Sequence, residues 1–264
     1  MITIGCDPEF VLYDEDGAAI RADDLPLNCS DLFGRDGGGG PFEVRPSPSN
    51  NTLIVVENIR NIFSTAVRVM PPLKDYVWKA GHCPSWNKGS RRTYSFVCGG
   101  HIHVGGVDLG QLDLAELVHD LETVIMRGLS KLVDDPAQVE KRRPNYGRAE
   151  SYRVQEAYEG GRQTTRFEYR TPGSYLISPQ VTFLNLLLAK VVTKSFLDHT
   201  YPYARRTPSD PKTILKGIWD VMCALPENTH TKDIKFGIPV LWSLISKSWK
   251  VDWDVDFRKN WGIR

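Results

Sequence analysis

Four short stretches of this chain carry ionisable residues two positions apart, and a β-strand would put each set on one face. They are Asp7 and Glu9; Glu43 and Arg45; His101 and His103; and Arg166, Glu168 and Arg170. The intervening positions are apolar: Phe10, Phe42 and Val44, Ile102 and Val104, Phe167 and Tyr169. Any half-solvated antiparallel strand alternates in this way, so alternation alone decides nothing. The residue types are more specific. Acids, histidines and arginines fill positions that solvated strands usually give to lysine and threonine. If the four strands are neighbours, their carboxylates and imidazoles meet at a density that calls for divalent cations, with Mg²⁺ or Mn²⁺ suiting such oxygen and nitrogen donors. Three arginines beside them would face an anion. Metals bridging phosphates, with cations neutralising the moving group, are the components of phosphoryl transfer.

The elements that must position these residues can be read in order. Residues 2–13 read as a strand closed by the turn Asp14-Glu15-Asp16-Gly17, with Pro8 marking an edge or a bulge. The glycine run at 37–40 lacks the Gly-Lys-Ser/Thr of a Walker loop and reads as a loop. Apolar residues at helical spacing predict a helix over 53–70, with capping candidates at 47–51. Residues 71–92 read as an irregular connection, basic at Lys88, Arg91 and Arg92. A strand over 93–104 carries the histidine pair between Gly99-Gly100 and Gly105-Gly106, glycines that read as clearance for a ligand. A second amphipathic helix spans 112–133 and ends at Asp134-Asp135-Pro136. The polar segment 141–153 sets guanidinium groups beside tyrosines, a combination that suits carboxylate or phosphate. A strand over 164–171 follows. Helices at 179–198, 211–225 and 236–249 complete the chain, their tryptophans reading as packing anchors.

Composition sets the bounds. At 264 residues with net charge +1, the chain carries no global field that argues for nucleic acid. Five cysteines form no C-x-x-C pair, which supports neither a disulfide framework nor a zinc site and points to a reducing cytoplasm. The apolar run 181–192 is broken by Asn185 and Lys190 and is too short to cross a bilayer.

Three of the four stretches resemble motifs of the glutamine synthetase superfamily. Gly5-Cys6-Asp7-Pro8-Glu9-Phe10 is similar to its metal-binding strand, Gly100-His101-Ile102-His103 to its Gly-x-His-x-His strand, and Arg166-Phe167-Glu168-Tyr169-Arg170-Thr171-Pro172 to its Arg-x-Glu-x-Arg-x-Pro strand. Small size, the stretch from Asp36-Gly37 to Glu43-Val44-Arg45-Pro46, and Arg143, Tyr146, Gly147 and Arg153 resemble the phage-type amidoligases, or carboxylate–amine ligases, more narrowly. The resemblance implies an α+β, glutamine synthetase-like fold: a curved antiparallel sheet with helices on one face, residues 1–178 forming the catalytic core and 179–264 a helical part packed on it. It implies ATP and two Mg²⁺ ions, with Mn²⁺ as a substitute. Glu9 and Glu43 would hold one ion, and Asp7, His101 and Glu168 the other. His103, Arg166 and Arg45 would bind the nucleotide, and Arg170, Arg166 and Glu43 would serve the chemical step. Arg143, Tyr146 and Arg153 would bind substrate. The implied reaction joins a small-molecule or peptide carboxylate to an amine through an acyl phosphate, in the cytoplasm (the host's, for a phage protein). A kinase on the same scaffold and a non-catalytic phage protein retaining the fold are the competing readings. Asp7 stands where the larger synthetases have glutamate, and no second glutamate follows Glu43.

Overall fold

The structure is a computed structural model. It describes residues 1–264 except 38–39, 86–95, 143, 145, 160–161, 203–207 and 227–230, and for 111, 157–159 and 162–164 the backbone alone. The basic cluster at 88–92, the start of the expected histidine strand at 93–95, Arg143 and the pair Arg205-Arg206 lie outside the described residues.

Among the described residues, nine strands form two sheets. The first holds β1 (Thr3–Cys6), β7 (Ile102–Gly105), β9 (Arg162–Tyr169) and β8 (Tyr152–Glu159), all antiparallel in that order. The second is centred on β2 (Glu9–Tyr13), which pairs with β3 (Ala19–Ile20), β5 (Phe42–Val44) and β6 (Val77–Lys79), while β4 (Phe33–Arg35) pairs with β5. The expected single strand over 2–13 is therefore two. Pro8 lacks an N–H for a ladder, and the break at Asp7-Pro8 passes the chain from one sheet to the other. The partner segment continues across that break, since Asp7 N donates to His101 O (3.3 Å) and Glu9 N to Gly99 O (2.8 Å). β6 and β8 are strands that the sequence pattern did not mark. Trp78 of β6 is fully buried and stacks on Phe10 at 5.2 Å, and β8 pairs with β9 along its whole length.

Helices cover the apolar faces. In α1 (Thr52–Val69), Asn51 caps by accepting from Leu53 N, and Val55, Ile59, Ile62 and Phe63 face inward. A helix begins as α2 (Leu114–Leu121), passes through a π-helical stretch (Glu122–Leu129) and ends as α3 (Ser130–Val133). Pro136 opens the short α4 (Pro136–Arg142). Then come α5 (Pro179–Leu197), α6 (Pro211–Ala224), α7 (Lys232–Lys247) and α8 (Arg258–Trp261). Helix α5 touches α1, α2, α6, α7, β1 and β7 and is buried on nearly all sides. It is long and apolar enough to cross a membrane by length and composition, longer than the apolar run suggests, with 78% of its apolar window buried within the protein. Lys190, which interrupts that run, is neutralised by Asp233 of α7 at 2.7 Å. One hydrophobic cluster runs from Ile4 to Trp261 and joins the sheets to the C-terminal helices. Phe10 lies at the centre of its aromatic part, with Phe33, Phe42, Phe63, Trp78 and Phe257 around it at 5.2–5.8 Å.

Candidate active site

Strand register alone brings the ionisable residues together. His103 stands opposite Gly5 on β1 and Glu168 on β9, Arg153 of β8 stands opposite Glu168, and Glu9 stands opposite Glu43. Ile102, Val104, Phe167 and Tyr169 point the other way into the core, fully buried, so register cannot slip without burying charge.

The first cluster is built on Asp7. Its Oδ2 lies 3.1 Å from His103 Nε2, and its Oδ1 lies 3.1 Å from His101 Nδ1, which is itself 3.4 Å from Glu168 Oε1. Burial alone would raise the Asp7 carboxyl, but the two imidazoles outweigh it and hold the group well below the usual carboxylate range. Asp7 Oδ1 and His103 Nε2 are buried, and neither is aligned for a hydrogen bond. Buried polar atoms left without a hydrogen bond cost more than they return unless a further group joins them. One oxygen or nitrogen each from Asp7, His103 and Glu168 falls within 4.8 Å of the others, a donor set that fits a divalent cation.

The second cluster contains Glu9, Glu43 and Asp36, again with ligand atoms within 4.8 Å of one another. Burial pushes Glu9 up to about 7, opposed by the neighbouring His101 and by the Gly99 N–H that donates to Glu9 Oε2 at 2.8 Å. Burial, then the charge of Asp7, pushes Glu43 up to about 9, although Arg45 Nη2 sits 2.9 Å from Glu43 Oε2. Carboxyls so reluctant to ionise together make a site that a cation would relieve. Asp36 was not singled out as a ligand in the sequence. It lies on the turn from β4 to β5, and the antiparallel return of β4 along β5, a pairing the sequence pattern did not show, puts this residue just past Arg35 near Glu43.

Around these acids stand the arginines. Arg45, Arg166, His103 and Asp7 line one cleft of about 140 Å³, so the three residues expected to bind the nucleotide share a wall. That volume suits a phosphate group rather than a whole nucleotide, since small-molecule pockets run to roughly 300–1,000 Å³. Arg166 is held by Gln155, its Nε donating at 2.7 Å, and Arg45 by the carbonyls of Asp31 and Arg35. Arg170 Nη1 bonds Glu168 Oε1 at 2.9 Å, and Arg153 Nε bonds the other Glu168 oxygen.

Tyr146, expected at a substrate, is found inside this network. Its hydroxyl accepts from Arg170 Nη2 at 2.8 Å and lies 2.7 Å from His101 Nε2. Arg142, which sequence reading passed over as one of a basic run, is fully buried beneath it. Its guanidinium lies 5.1 Å from the Tyr146 ring and donates to the carbonyls of Thr171 and Pro172. The glycines beside the histidines also have local explanations. A Cβ on Gly99 would lie 2.5 Å from His101 Nε2, and one on Gly100 only 2.2 Å from Gly173 O, so the clearance read as room for a ligand serves the protein's own groups.

Comparison with known proteins places the chain. No curated protein sequence matches it. Among solved structures, a bifunctional glutathione synthetase from Pasteurella multocida aligns with a TM-score of 0.50 at 12% identity, covering 99% of this chain and 52% of that one. The complex between the prokaryotic ubiquitin-like protein Pup and its ligase PafA aligns with a TM-score of 0.50 at 11% identity, covering 97% of this chain and 67% of that one. The chain thus spans about half the length of the synthetase, and at such identities the likeness is one of fold: mixed α/β, antiparallel sheets with helices packed on them. Residues 4–263 match the model of the phage phiEco32-like COOH.NH2 ligase-type 2 family, and the chain belongs to that family.

Proposed function

We propose that this protein is an ATP- and Mg²⁺-dependent carboxylate–amine ligase on a glutamine synthetase-like scaffold, with residues 1–178 and 179–264 acting as one continuous unit. The observation that carries the reading is the pair of buried acid clusters on adjoining strands, with Arg45, Arg166 and Arg170 ranged beside them. Glu9, Asp36 and Glu43 would hold one divalent cation, and Asp7, Glu168 and an imidazole of His101 or His103 a second. Cations there supply neutralisation of phosphate oxygens.

The chain's own groups do the rest. Arg45 and Arg166 grip the triphosphate from the cleft wall, held in place by Gln155 and backbone carbonyls. A substrate carboxylate oxygen forms a bond to the γ-phosphorus as the bond to the ADP oxygen breaks, and Arg170, fixed by Glu168 and Tyr146, neutralises charge on the phosphoryl group in flight. The amine nitrogen then bonds to the acyl carbon, the phosphate oxygen leaves with its electron pair, and the nitrogen gives its proton to the departing phosphate. Positioning and charge stabilisation account for the rate; no side chain becomes covalently attached.

The test is ADP release with paired carboxylates and amines. Release that needs both substrates, with a product lighter than their sum by one water, supports the ligase. A product heavier by a phosphate makes the protein a kinase instead. Glu9→Ala and Glu168→Ala should be inactive while keeping wild-type circular dichroism; turnover at the wild-type rate in both would sink the assignment.

A further inference from the structure

The first sheet ends on β8, and among the described residues no strand pairs with its outer edge. Edges of this kind are normally blunted by brevity, proline, lysine or a bulge. β8 has none of these, although charge, another such device, stands at Arg153, Glu156 and Glu159. It is eight residues long, contains no proline or lysine, and pairs with β9 in unbroken register from Tyr152↔Tyr169 to Glu159↔Arg162. Arg170 N donates to Ser151 O, which makes Ser151 and Arg170 a hydrogen-bonded pair. By alternation Arg153 and Gln155 also bond inward to β9, and Tyr152, Val154 and Glu156 turn their N–H and C=O groups outward.

Both faces of this edge are suited to a ligand. On the core side, Tyr152 and Val154 stand beside the buried Tyr169 and Phe167 yet are 41% and 48% exposed. On the site side, Arg153 bonds Glu168 while half of its side chain remains exposed.

We propose that the free edge of β8 docks an extended peptide by strand addition, and that this peptide carries the carboxylate substrate. The inference rests on the ligase reading above and names the substrate class of that site. An added strand lies about 4.8 Å from β8, and its residue opposite Arg153 projects onto the same face as Glu168 and Arg170. An acid at that position meets the exposed part of the Arg153 side chain and stands at the mouth of the metal-binding face. Outward backbone groups give affinity, and alternate side chains give selection.

The experiment follows amide hydrogen exchange in the full chain. The probes are a seven-residue peptide alternating threonine and valine around a central glutamate, and its glutamine counterpart. The glutamate peptide should slow exchange at Tyr152, Val154 and Glu156 tenfold or more, and the glutamine peptide should do so less. Val154→Pro removes an outward N–H and leaves the ladder to β9 alone, and Val154→Lys places a charge on the edge. Either should weaken the peptide about tenfold while calorimetric binding of Mg²⁺·ATP is unchanged. Equal protection by both peptides, or wild-type peptide affinity in both variants, overturns the proposal. So does protection that grows with protein concentration in peptide-free solution, which would give the edge to a second copy of the chain. Peptide protection without Mg²⁺·ATP binding in the wild type would remove the ligase reading and the peptide's role as substrate, and would keep the edge as a docking site.

Discussion

Replacing Glu43 by glutamine should stabilise the ligand-free protein, and by an amount that grows with pH. Glu43 is buried beside Glu9 and Asp7, and burial with those charges raises its carboxyl from the ordinary 4.5 to about 9. The native protein therefore holds a proton there that the unfolded chain releases near 4.5. Stability from this group is fully present below 4.5, falls as pH rises through the window from 4.5 to 9, and is flat above it. At about 1.4 kcal/mol per unit, the loss by pH 8 is about 5 kcal/mol. Glutamine keeps the neutral shape and has no proton to lose. Glu43→Gln should thus match wild type in thermal unfolding near pH 4.5 and melt about 10 °C higher at pH 8. Cation binding supplies the counter-experiment. Millimolar Mg²⁺ should raise the wild-type melting temperature, more strongly at pH 8 than at pH 6 because the site must shed protons to bind, and should raise the variant's less, since only the Asp7 cluster is left intact in it. A pH-independent difference between the two proteins, or an equal response to Mg²⁺, would refute the reasoning.

Three further outcomes follow from other contacts. Lys190→Met leaves Asp233 buried without its cation, with Thr52, Thr231 and the Ile234 N–H still donating to it, and should cost about 3–5 kcal/mol in denaturant unfolding; adding Asp233→Leu should restore most of that loss. Tyr146→Phe removes the hydroxyl between His101 and Arg170 and should lower kcat by roughly a hundredfold, with the Mg²⁺-induced rise in melting temperature retained. Gly147→Ala should destabilise by about 1–3 kcal/mol, read in thermal unfolding. Gly147 sits at φ +64°, and its Cβ would lie 2.1 Å from Arg142 Nη1.

What the sequence revealed and what it hid divide along a physical line. Two-residue alternation made the site strands legible, because burial of Ile102, Val104, Phe167 and Tyr169 forces the opposite faces to carry His101, His103, Glu168 and Arg170 together. Helical spacing gave α1 within one residue at each end and gave most of α2, α5 and α6. β6 stayed hidden because three residues, Val77-Trp78-Lys79, are too few to show a period. The start of α7 was set four residues late, since three of the four residues Lys232 to Lys235 are charged and Ile234 is the one apolar residue among them, buried beside Asp233. β8 was hidden differently. Its apolar positions, Tyr152 and Val154, belong to an edge and stay exposed, so its sequence reads as a polar loop. Arg142 was missed because composition placed it among solvated charges, whereas the carbonyls of Thr171 and Pro172 and the Tyr146 ring give it a buried seat.

Pro8 shows why the two acid clusters stay separate although their acids are neighbours in the chain. On one continuous strand Asp7 and Glu9 would share a face and a single site, two charges repelling across one strand repeat. The missing N–H at Pro8 ends β1 and lets β2 start in the other sheet. Asp7 is then delivered to the imidazoles of β7, and Glu9 is set across from Glu43. The electrostatic result is asymmetric. Imidazoles hold Asp7 ionised, whereas burial drives Glu9 to about 7 and Glu43 to about 9. The Glu9–Glu43 cluster can therefore take a cation only by releasing protons. Titration with Mn²⁺ should resolve two sites with different pH dependence, the Glu9–Glu43 site tightening tenfold or more per unit between pH 6 and 8. Two sites with the same pH dependence would show that the break at Pro8 does not separate their chemistry.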